Sequence, residues 1–373
     1  MKLKKIQLPF KVKKPILALG SQTKNTVCFS RDNLAIFSAL HPDLSHYRDF
    51  LNFQESVKYF LKKKPKIIAY DLHPEYQSTK YAQDLDTRHY TLYAIQHHHA
   101  HIASCMAENG MKNQKVIGVA FDGTGLGIDN TLWGAEFLCC DYRSFKRRAH
   151  LREVSLLGRE KAILEPWRLA AIWLYLIYKD KFLNLGIDFL NDMPGNQWRV
   201  LKKMYLAGFN SVLVSSMGRL FDAVASLVLA KYKANFEAEL AMDLEKIATR
   251  YKRQARSYNF KITKQKDEYV IDPAPMFKEI ISDLRQKKTQ QKIAYQFHFT
   301  VAEMLSEVCL ILRKETRINK VVLSGGVFQN KLLLFLSLAA LDKEGFRVFR
   351  HQDLSCNDSS LPLGQLAIAN SRS

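Results

Sequence analysis

The sequence predicts an α/β fold built from two lobes. Buried-type strands and amphipathic helices are mixed along the chain, which is typical of α/β proteins. A strand, a turn and a second strand occur at 15–37, and the same pattern returns about a hundred residues later, at 116–142. This recurrence suggests a duplicated α/β unit. The length of 373 residues agrees, because domains commonly contain about 100–200 residues.

The first lobe is predicted to start with PILALG, an apolar run that ends in glycine. The turn SQTKN then leads to TVCFS, whose β-branched residues favour a strand. A helical stretch at 54–63 precedes the buried-type strand KIIAYDL, which His73-Pro74 ends. The stretch AIQHHHAHIASCMAENG at 94–110 predicts a helix, because alanines favour it and Asn109-Gly110 forms a typical C-terminal stop.

The second lobe is predicted to start with the strand VIGVAFDG, the turn GTGLGIDN and the returning strand TLWGAEFLCCDY. From about 162 to 250 the chain is predicted to be mostly helical, and 249–290 to contain a hairpin and a helix. A long helix at 293–314 and the strand KVVLSGG follow. The chain then continues with a helix that starts at FQNK, the strand FRVFRH, the loop SCNDSS and a final short helix.

The composition favours a folded protein of a reducing cytosol. No apolar run reaches the roughly 18 residues of a membrane span, and the basic N-terminus lacks the apolar core of a secretion signal. The six cysteines are scattered without a C-x-x-C pair, which argues against a disulfide framework and a zinc ribbon. The net charge of +20 indicates a nucleic acid, a nucleotide or an acidic protein as partner. A lysine-rich solvated surface is the alternative explanation.

Four histidines lie between positions 97 and 101. On a helix, His97 and His101 lie on one face with Cβ atoms about 5–6 Å apart, so both imidazoles can bind one metal ion. His98 and His101 are an alternative pair. A distant carboxylate would complete a set of two histidines and one carboxylate, which suits Fe(II) or Zn(II). The alternatives are a polar helix surface and histidines that support a site without binding its ion directly.

Two glycine turns are candidate phosphate sites. The residues Asp122, Gly123, Thr124 and Gly125 follow a strand, and their N–H groups can face phosphate oxygens; a tight hairpin is the alternative. Ser324-Gly325-Gly326 lies between a strand and a helix, where a phosphate or sugar can meet the helix N-terminus. Asn330 is expected within the first turn of that helix, where it can donate hydrogen bonds to a base or ribose.

Three carboxylates are further candidates. Asp222 and Glu237 can accept hydrogen bonds from ribose hydroxyls, although Arg219 and Asp222 also have the spacing of a surface ion pair. Asp358 lies beside Asn357 in the loop before the last helix. It is a candidate distal metal ligand, and an acidic residue before a helix is also favoured by the helix dipole alone.

Together, the ordered motifs resemble those of the HypF-type carbamoyltransferases. They are HHHAH at 97–101, DGTGLG at 122–127, SSMGRLFDAVA at 215–225, LSGGVFQN at 323–330, and ND with LGQ at 357–365. DLHPEYQST at 71–79 and KAILEPWRLA at 161–170 are similar too. The resemblance runs from about residue 8 to 370 and concerns the C-terminal module of that family, which is also similar to the TsaD tRNA-threonylcarbamoylation enzymes.

The resemblance implies two actin-like lobes (ASKHA, RNase H-like) with a nucleotide and a metal ion in the cleft between them. The lobes would span 1–112 and 113–350, with a helical insertion at about 155–290, and 351–373 would return to the cleft. The implied ligands of Fe(II) or Zn(II) are His97, His101 and Asp358. The implied contacts to ATP, AMP or carbamoyl-adenylate are Lys24, Asn25, Asp122, Gly123, Thr124, Gly125, Asp222, Glu237, Gly325, Gly326 and Asn330.

The reaction implied by the resemblance transfers a carbamoyl group from carbamoyl-adenylate to the C-terminal cysteine of a HypE-type partner, for NiFe-hydrogenase maturation. The nucleophile would belong to the partner, and Cys105 is expected to be a buried packing residue. Because the chain begins at this module, a separate YrdC-like protein is expected to supply the adenylate. No membrane is implied. Two other reactions are alternatives: tRNA threonylcarbamoyl transfer, which the positive net charge favours, and O-carbamoylation of a small molecule. A third alternative is that the chain is a catalytically degenerate homologue.

Two departures from the family pattern lie in loops. The family usually has Y-E-G-Q-A near the nucleotide, where this chain has Phe236-Glu237-Ala238-Glu239-Leu240. The added Cβ at 238 and the carboxylate at 239 are expected to weaken nucleotide binding. The family usually has glycines after N-D, where this chain has Ser359 and Ser360. These serines are expected to make a positive φ less accessible to the loop that carries Asp358.

Overall fold

The computed structural model describes residues 3–85, 88–253 and 255–373. Residues 1, 2, 86 and 87 of the predicted first lobe, and residue 254, lie outside the described residues. The α-helices are α1 (Tyr47–Leu61), α2 (Gln77–Gln83), α3 (His97–Glu108), α4 (Glu160–Leu164), α5 (Trp167–Tyr178), α6 (Gly195–Ala207), α7 (Met217–Leu229), α8 (Glu239–Ala248), α9 (Ala274–Arg285), α10 (Gln290–Thr316), α11 (Lys331–Lys343) and α12 (Leu361–Arg372). Short 3-10 turns lie at Lys179–Asn184, Asp188–Leu190, Gly326–Gln329 and Asp358–Ser360.

The strands form two large sheets and one small pair. They are β1 (Lys4–Gln7), β2 (Ile16–Ala18), β3 (Thr23–Asn25), β4 (Cys28–Arg31), β5 (Leu34–Phe37), β6 (His41–Asp43), β7 (Ile67–Asp71), β8 (Thr91–Ile95), β9 (Val116–Leu126), β10 (Leu132–Cys140), β11 (Phe145–Leu151), β12 (Val154–Leu157), β13 (Ser211–Ser216), β14 (Lys261–Gln265), β15 (Glu268–Asp272), β16 (Lys320–Ser324) and β17 (Arg347–Arg350).

The two large sheets share the topology of a five-stranded core. The first has the order β1-β5-β4-β2-β7-β8, and the second has the order β14-β15-β11-β10-β9-β16-β17. In the first sheet, β2, β4 and β5 form an antiparallel meander, and β7 and β8 extend the sheet parallel to β2. In the second sheet, β9, β10 and β11 form the same meander, and β16 and β17 extend the sheet parallel to β9. This match confirms the prediction of a duplicated α/β unit with two lobes. The domain boundaries themselves stay a prediction.

Helices α3 and α12 lie between the two sheets. Helix α3 follows the last strand of the first sheet and packs on β9 and β16 of the second, whereas α12 follows the second sheet and packs on β2 and β7 of the first. The two helices also pack on each other: a Cβ at Gly364 would lie only 1.8 Å from the carbonyl oxygen of Ala100, so the contact requires glycine there. The first helix of the pair carries the histidines.

Three local expectations need correction. Strand β9 continues to Leu126, with Gly125 opposite Trp133, so the first half of the predicted turn GTGLGIDN is strand. The glycines accept extended geometry because β10 provides the pairing partner. The predominantly helical stretch at 162–250 also contains strand β13, which pairs with β10 and β12. Helix α11 begins at Lys331 rather than at Phe328, because Asn330 is its N-cap and accepts a hydrogen bond from the Leu333 N–H at 2.8 Å.

None of the helices in the described part of the chain combines the length and apolar character that crossing a membrane requires.

Candidate metal and nucleotide site

Helix α3 positions two histidines on its face toward the second lobe. The helix begins at His97 because the side chain of Gln96 accepts a hydrogen bond from the His99 N–H at 2.8 Å, which caps the helix. The rings of His97 and His101 lie one helical turn apart, with centroids separated by 4.9 Å. Both side chains are buried. The predicted pair therefore shares one face.

Two carboxylates meet these imidazoles from other parts of the chain. The Nε2 atoms of His97 and His101 lie 3.2 and 3.1 Å from Asp122 Oδ2, respectively. The same nitrogens lie 3.7 and 3.4 Å from Oδ1 of Asp358, which the 3-10 turn after β17 carries. One possible ligand atom from each of the four residues lies within 4.8 Å of the other three.

This donor set fits a transition-metal ion. Two imidazole nitrogens and two carboxylate oxygens suit iron or zinc. The buried Nδ1 atom of His101 has no hydrogen-bond partner among the described residues, and Nε2 faces Asp122 and Asp358, so the neutral ring can offer the Nε2 lone pair to an ion between them. The sequence had implied three of these ligands. Asp122 was expected to contact the nucleotide, and its position makes it a fourth candidate ligand.

Asp71 at the end of β7 fixes one of the rings. Its Oδ2 lies 2.8 Å from His97 Nδ1, and its side chain is fully buried. The Asp71 Oδ1 atom accepts a hydrogen bond from the His73 N–H. In the neutral imidazole, a carboxylate on Nδ1 keeps the proton on that nitrogen and leaves Nε2 free to bind an ion, as in the carboxylate–histidine–metal arrangement of many metalloproteins. Sequence reasoning missed Asp71, although its position at the end of a buried strand was visible.

The electrostatics of the cluster favour a cation. Burial alone lowers the pKa of His97, but the carboxylates of Asp71, Asp358 and Asp122 outweigh it and raise this pKa well above its ordinary value. Burial also opposes ionisation of Asp122, yet hydrogen bonds from His101 and His97 hold its pKa well below the usual range. The same arrangement that stabilises a proton on these imidazoles stabilises a metal cation between them.

The other two histidines of the run have structural partners. The His98 Nδ1 atom lies 3.2 Å from Gln96 Nε2, and burial together with the charge of His97 lowers its pKa well below the ordinary value. His99 Nε2 lies 2.6 Å from the carbonyl oxygen of Asp141, and burial lowers its pKa to about 4. The structure therefore favours the pair His97 and His101 over the alternative pair His98 and His101.

The glycine turns hold Asp122 in place. Its Oδ1 accepts hydrogen bonds from the N–H groups of Gly123 at 2.8 Å and Gly326 at 3.1 Å. The Gly325 N–H donates to the carbonyl oxygen of Cys356 at 3.0 Å. A Cβ at Gly125 would lie 2.7 Å from the rings of His97 and His98, so only glycine lets the strand approach the helix. These N–H groups have protein partners in the structure, and their contact with a phosphate stays a prediction.

Asp222 and Glu237 lie on either side of Arg219. The Asp222 Oδ2 atom lies 3.1 Å from Arg219 Nε, and both side chains are only 2% exposed, so the alternative of a surface ion pair is wrong. Burial raises the pKa of Asp222 to about 6, although the Arg219 charge opposes this effect. Glu237 Oε1 lies 3.1 Å from Arg219 Nη2, and about half of the Glu237 side chain is exposed. A Cβ at Gly123 would lie 2.7 Å from the same Glu237 oxygen.

The remaining predicted nucleotide residues lie on two other elements. Asn25 is buried and donates through Nδ2 to the carbonyl oxygens of Leu19 and Ser21, whereas Lys24 is exposed. The Asn330 Nδ2 atom lies 2.9 Å from His298 Nε2, while its Oδ1 caps α11. Both asparagines thus have partners within the protein. Their contact with a nucleotide stays a prediction.

Two loops border the site, and both differ from the family pattern. We call residues 231–239 the Glu237 loop and residues 351–360 the Asp358 loop. Ala238 adopts φ = 67°, the left-handed region that favours the usual glycine. Ser359 and Ser360 are not among the residues with positive φ, so the Asp358 loop does not need the usual glycines. The expected difficulty at these serines does not arise.

The comparisons with known proteins agree along nearly the whole chain. The family "HypF Kae1-like domain" matches residues 11–108, and "Carbamoyltransferase, Kae1-like Domain, second subdomain" matches residues 118–365. Carbamoyltransferase HypF of Synechocystis sp. is 34% identical over 97% of this chain and 48% of its own length. The carbamoyltransferase HypF homolog of Cupriavidus necator is 32% identical over 95% of this chain and 91% of its own length.

Solved structures give the same relationship. A crystal structure of full-length HypF in a phosphate- and nucleotide-bound form superimposes with a TM-score of 0.92 and 38% identity, over 99% of this chain and 48% of that chain. The structure of T. kodakarensis HypF superimposes with a TM-score of 0.87 and 27% identity, over 98% of this chain and 48% of that chain. The chain spans about half the length of most of these relatives.

Proposed function

The chain belongs to the HypF carbamoyltransferase family, and on this basis we propose that it is an adenylate-dependent carbamoyltransferase. The proposed donor is carbamoyl-adenylate, and the proposed acceptor is the C-terminal cysteine of a HypE-type protein in NiFe-hydrogenase maturation. The acceptor sulfur forms a bond to the carbamoyl carbon, the bond between that carbon and the phosphate oxygen breaks, and AMP leaves. The thiol proton is released.

The observation that carries this proposal is the convergence of His97, His101, Asp122 and Asp358 within 4.8 Å. These residues come from both lobes and from the C-terminal segment, and together they would hold an iron or zinc ion. When bound, such an ion supplies Lewis acidity and orients an anionic group such as the phosphate of the adenylate. A solved structure of full-length HypF is in a phosphate- and nucleotide-bound form, which supports nucleotide binding in this family.

The chain's own residues would orient the nucleotide. Asp71 keeps the Nε2 atom of His97 directed at the site. Asp222 and Glu237 are positioned by Arg219, whose Nε and Nη2 atoms lie 3.1 Å from one oxygen of each carboxylate. We propose that these carboxylates accept hydrogen bonds from the ribose hydroxyls. Holding the donor in one orientation lowers the entropic cost of meeting a thiol that diffuses in on a partner.

The cysteines of this chain support an acceptor on another protein. Burial raises the pKa of all six thiols, that of Cys356 to about 12, and that of Cys105 well above its ordinary value. The thiolate is the nucleophilic form of cysteine, so these thiols are poor nucleophiles at neutral pH. Within the described residues, no cysteine belongs to the cluster of possible metal ligands.

The test is a reconstituted transfer reaction. Purified chain is loaded with Fe(II) or Zn(II) and mixed with a HypE-type protein and a YrdC-like enzyme that makes carbamoyl-adenylate. We expect one carbamoyl group on the acceptor by intact-protein mass spectrometry, and none when the acceptor's C-terminal cysteine is serine. His101→Ala of this chain is expected to abolish transfer. A chain that binds neither metal nor adenine nucleotide would contradict the proposal.

The alternatives predict different outcomes in the same reaction. A tRNA enzyme would bind tRNA with strong salt dependence and would modify it when threonylcarbamoyl-adenylate is supplied. An enzyme that O-carbamoylates a small molecule would leave the HypE-type acceptor unmodified and would consume the adenylate only with a hydroxyl acceptor. A degenerate homologue would bind a nucleotide without consuming the adenylate.

A further inference from the structure

The C-terminal end of helix α3 binds the start of the Asp358 loop. The last residue of the helix is Glu108, whose side chain is only 3% exposed. Its Oε1 accepts hydrogen bonds from three successive backbone N–H groups, those of Gln352 at 3.1 Å and of Asp353 and Leu354 at 2.7 Å. Its Oε2 contacts Nδ1 of His351. One buried carboxylate thus satisfies four donors of one loop.

The contacts continue from His351 to the glycine turn. Because Nδ1 faces the Glu108 carboxylate, it carries the proton, and Nε2 accepts a hydrogen bond from the Ser324 hydroxyl at 3.0 Å. Ser324 directly precedes Gly325, whose N–H donates to Cys356 of the same loop. The order serine, histidine and carboxylate resembles a nucleophilic triad, but Ser324 is fully buried and cannot reach a substrate. Its role is therefore structural.

Helix α3 holds the Asp358 loop at several points along its length. Glu108 binds the beginning of the loop, and Ser104 Oγ donates to the Ser360 carbonyl oxygen at 2.8 Å near its end. Between these two points, Asp358 faces His97 and His101, which lie at the other end of the same helix. A helix is a rigid element, so a loop attached to it in this way is kept at a constant distance from the histidines.

We propose that Glu108 is a positioning residue that sets Asp358 against His97 and His101 and thereby raises the affinity for the metal ion. The proposal rests on the metal site of the proposed function. The proposed role of Glu108 differs from a purely structural role in one respect. A structural residue changes the stability of the fold, whereas Glu108 also changes the affinity of the folded protein for metal, through Asp358.

The experiment measures the Zn(II) affinity of the full chain by competition with a chromophoric chelator. We expect Glu108→Ala to bind about 10-fold more weakly or worse, within the 10–100-fold range of outer-shell losses at metal sites. Glu108→Gln retains one oxygen for the loop N–H groups and is expected to lie between Glu108→Ala and the unaltered chain. Glu55→Ala is the matched control, because Glu55 is an exposed glutamate in α1, and we expect no change.

A double-mutant cycle identifies the route of the effect. If Glu108 acts through Asp358, then Glu108→Ala in an Asp358→Asn background causes no further loss of Zn(II) affinity, because the two positions are coupled. Equal fold-losses in both backgrounds would overturn the proposal and leave Glu108 a general stabiliser. Circular dichroism of each variant without metal confirms that a folded protein is compared.

A second measurement needs no metal. Amide hydrogen exchange in residues 351–358 of the metal-free chain is expected to accelerate in Glu108→Ala and to stay unchanged in Glu55→Ala. Exchange at the unaltered rate would overturn the proposal. Failure of the unaltered chain to bind Zn(II) would overturn the metal site and this inference together. Normal Zn(II) affinity in Glu108→Ala would overturn this inference alone.

Discussion

The Asp358 loop and the Glu237 loop border the same site but are held in different ways. The Asp358 loop is bonded to distant parts of the chain: Thr26 Oγ1 donates to Ser359 O, Ser104 Oγ donates to Ser360 O, and Glu108 accepts from three loop N–H groups. The first part of the Glu237 loop is also bonded to distant residues, since the Ala234 N–H donates to Leu164 O and the Tyr232 hydroxyl donates to Phe189 O. Its last part has more exposed contacts, such as those of Asn235 with Glu239, and Ala238 there adopts a left-handed conformation.

The difference separates the site into a rigid part and an adaptable part. Hydrogen bonds to the buried side chains of Glu108 and Ser104 on a rigid helix keep the Asp358 loop in place without help from a ligand. Exposed hydrogen bonds compete with water and contribute less, and a left-handed alanine costs about 1 kcal/mol. We therefore expect the metal half of the site to be preformed and the Glu237 loop to become ordered when a nucleotide binds.

The largest expected effect concerns the rigid part. His101→Ala removes a proposed ligand, so we expect a loss of Zn(II) affinity beyond the roughly 100-fold that an outer-shell change costs. His99→Ala is the control, since its ring faces the carbonyl oxygen of Asp141 and a phenylalanine rather than the carboxylates. It is expected to lower the free energy of unfolding and to keep Zn(II) affinity. An equal loss of Zn(II) affinity in both variants would mean that the metal-binding face of helix α3 is assigned wrongly.

A smaller effect is expected from Asp71, which lies behind the proposed ligands. Asp71→Asn keeps the shape of the side chain but weakens the hold on His97 Nδ1, and we expect Zn(II) affinity to fall about 10–100-fold. Asp32→Asn, at an exposed position in the β4–β5 turn, is the matched control. Unchanged affinity in Asp71→Asn would show that the helix alone orients His97.

The proposed nucleotide contacts are expected to respond to pH through Asp222, a residue of α7 that Arg219 connects to Glu237. Because burial raises its pKa to about 6, this carboxyl is protonated below pH 6 and ionised above it. An ionised acceptor binds a hydroxyl more tightly by about 1 kcal/mol, which corresponds to about fivefold in affinity. Adenosine, which has no titrating phosphate, is therefore expected to bind more tightly as pH rises from 5 to 7. A flat profile in the unaltered chain, or the same slope in Asp222→Asn, would exclude this carboxylate.

The smallest expected effect compares the two loops directly. Ala238→Gly removes the cost of φ = 67° and is expected to raise the free energy of unfolding by up to about 1 kcal/mol. Ser359→Gly relieves no such strain and loses the bond of Ser359 Oγ to Asn357 Oδ1, so we expect a loss of about 0.5–1 kcal/mol. Thermal denaturation of both variants measures the two changes. If both variants changed the free energy of unfolding in the same direction, the proposed difference between the two loops would be wrong.

Much of the fold followed from local pattern. Apolar runs bounded by turn residues predicted most of the central strands, and the helical pattern within 162–250 agrees with α7. The predictions were wrong where pairing with a distant strand decided the conformation. Strand β9 runs through the glycines to Leu126 because β10 lies beside it, and β13 forms within a helical stretch for the same reason.

The sequence by itself determined the helices and strands and the chemistry at their ends. It placed two histidines one helical turn apart and an aspartate beside a glycine turn. Helix and strand periodicity are properties of neighbours along the chain, so local pattern is sufficient for them. Only the tertiary structure decided that Asp122 faces the histidines, that Asp71 fixes His97 and that Glu108 binds the Asp358 loop. Each of these contacts joins residues far apart in the chain, and the packing of α3 and α12 between the two sheets brings them together.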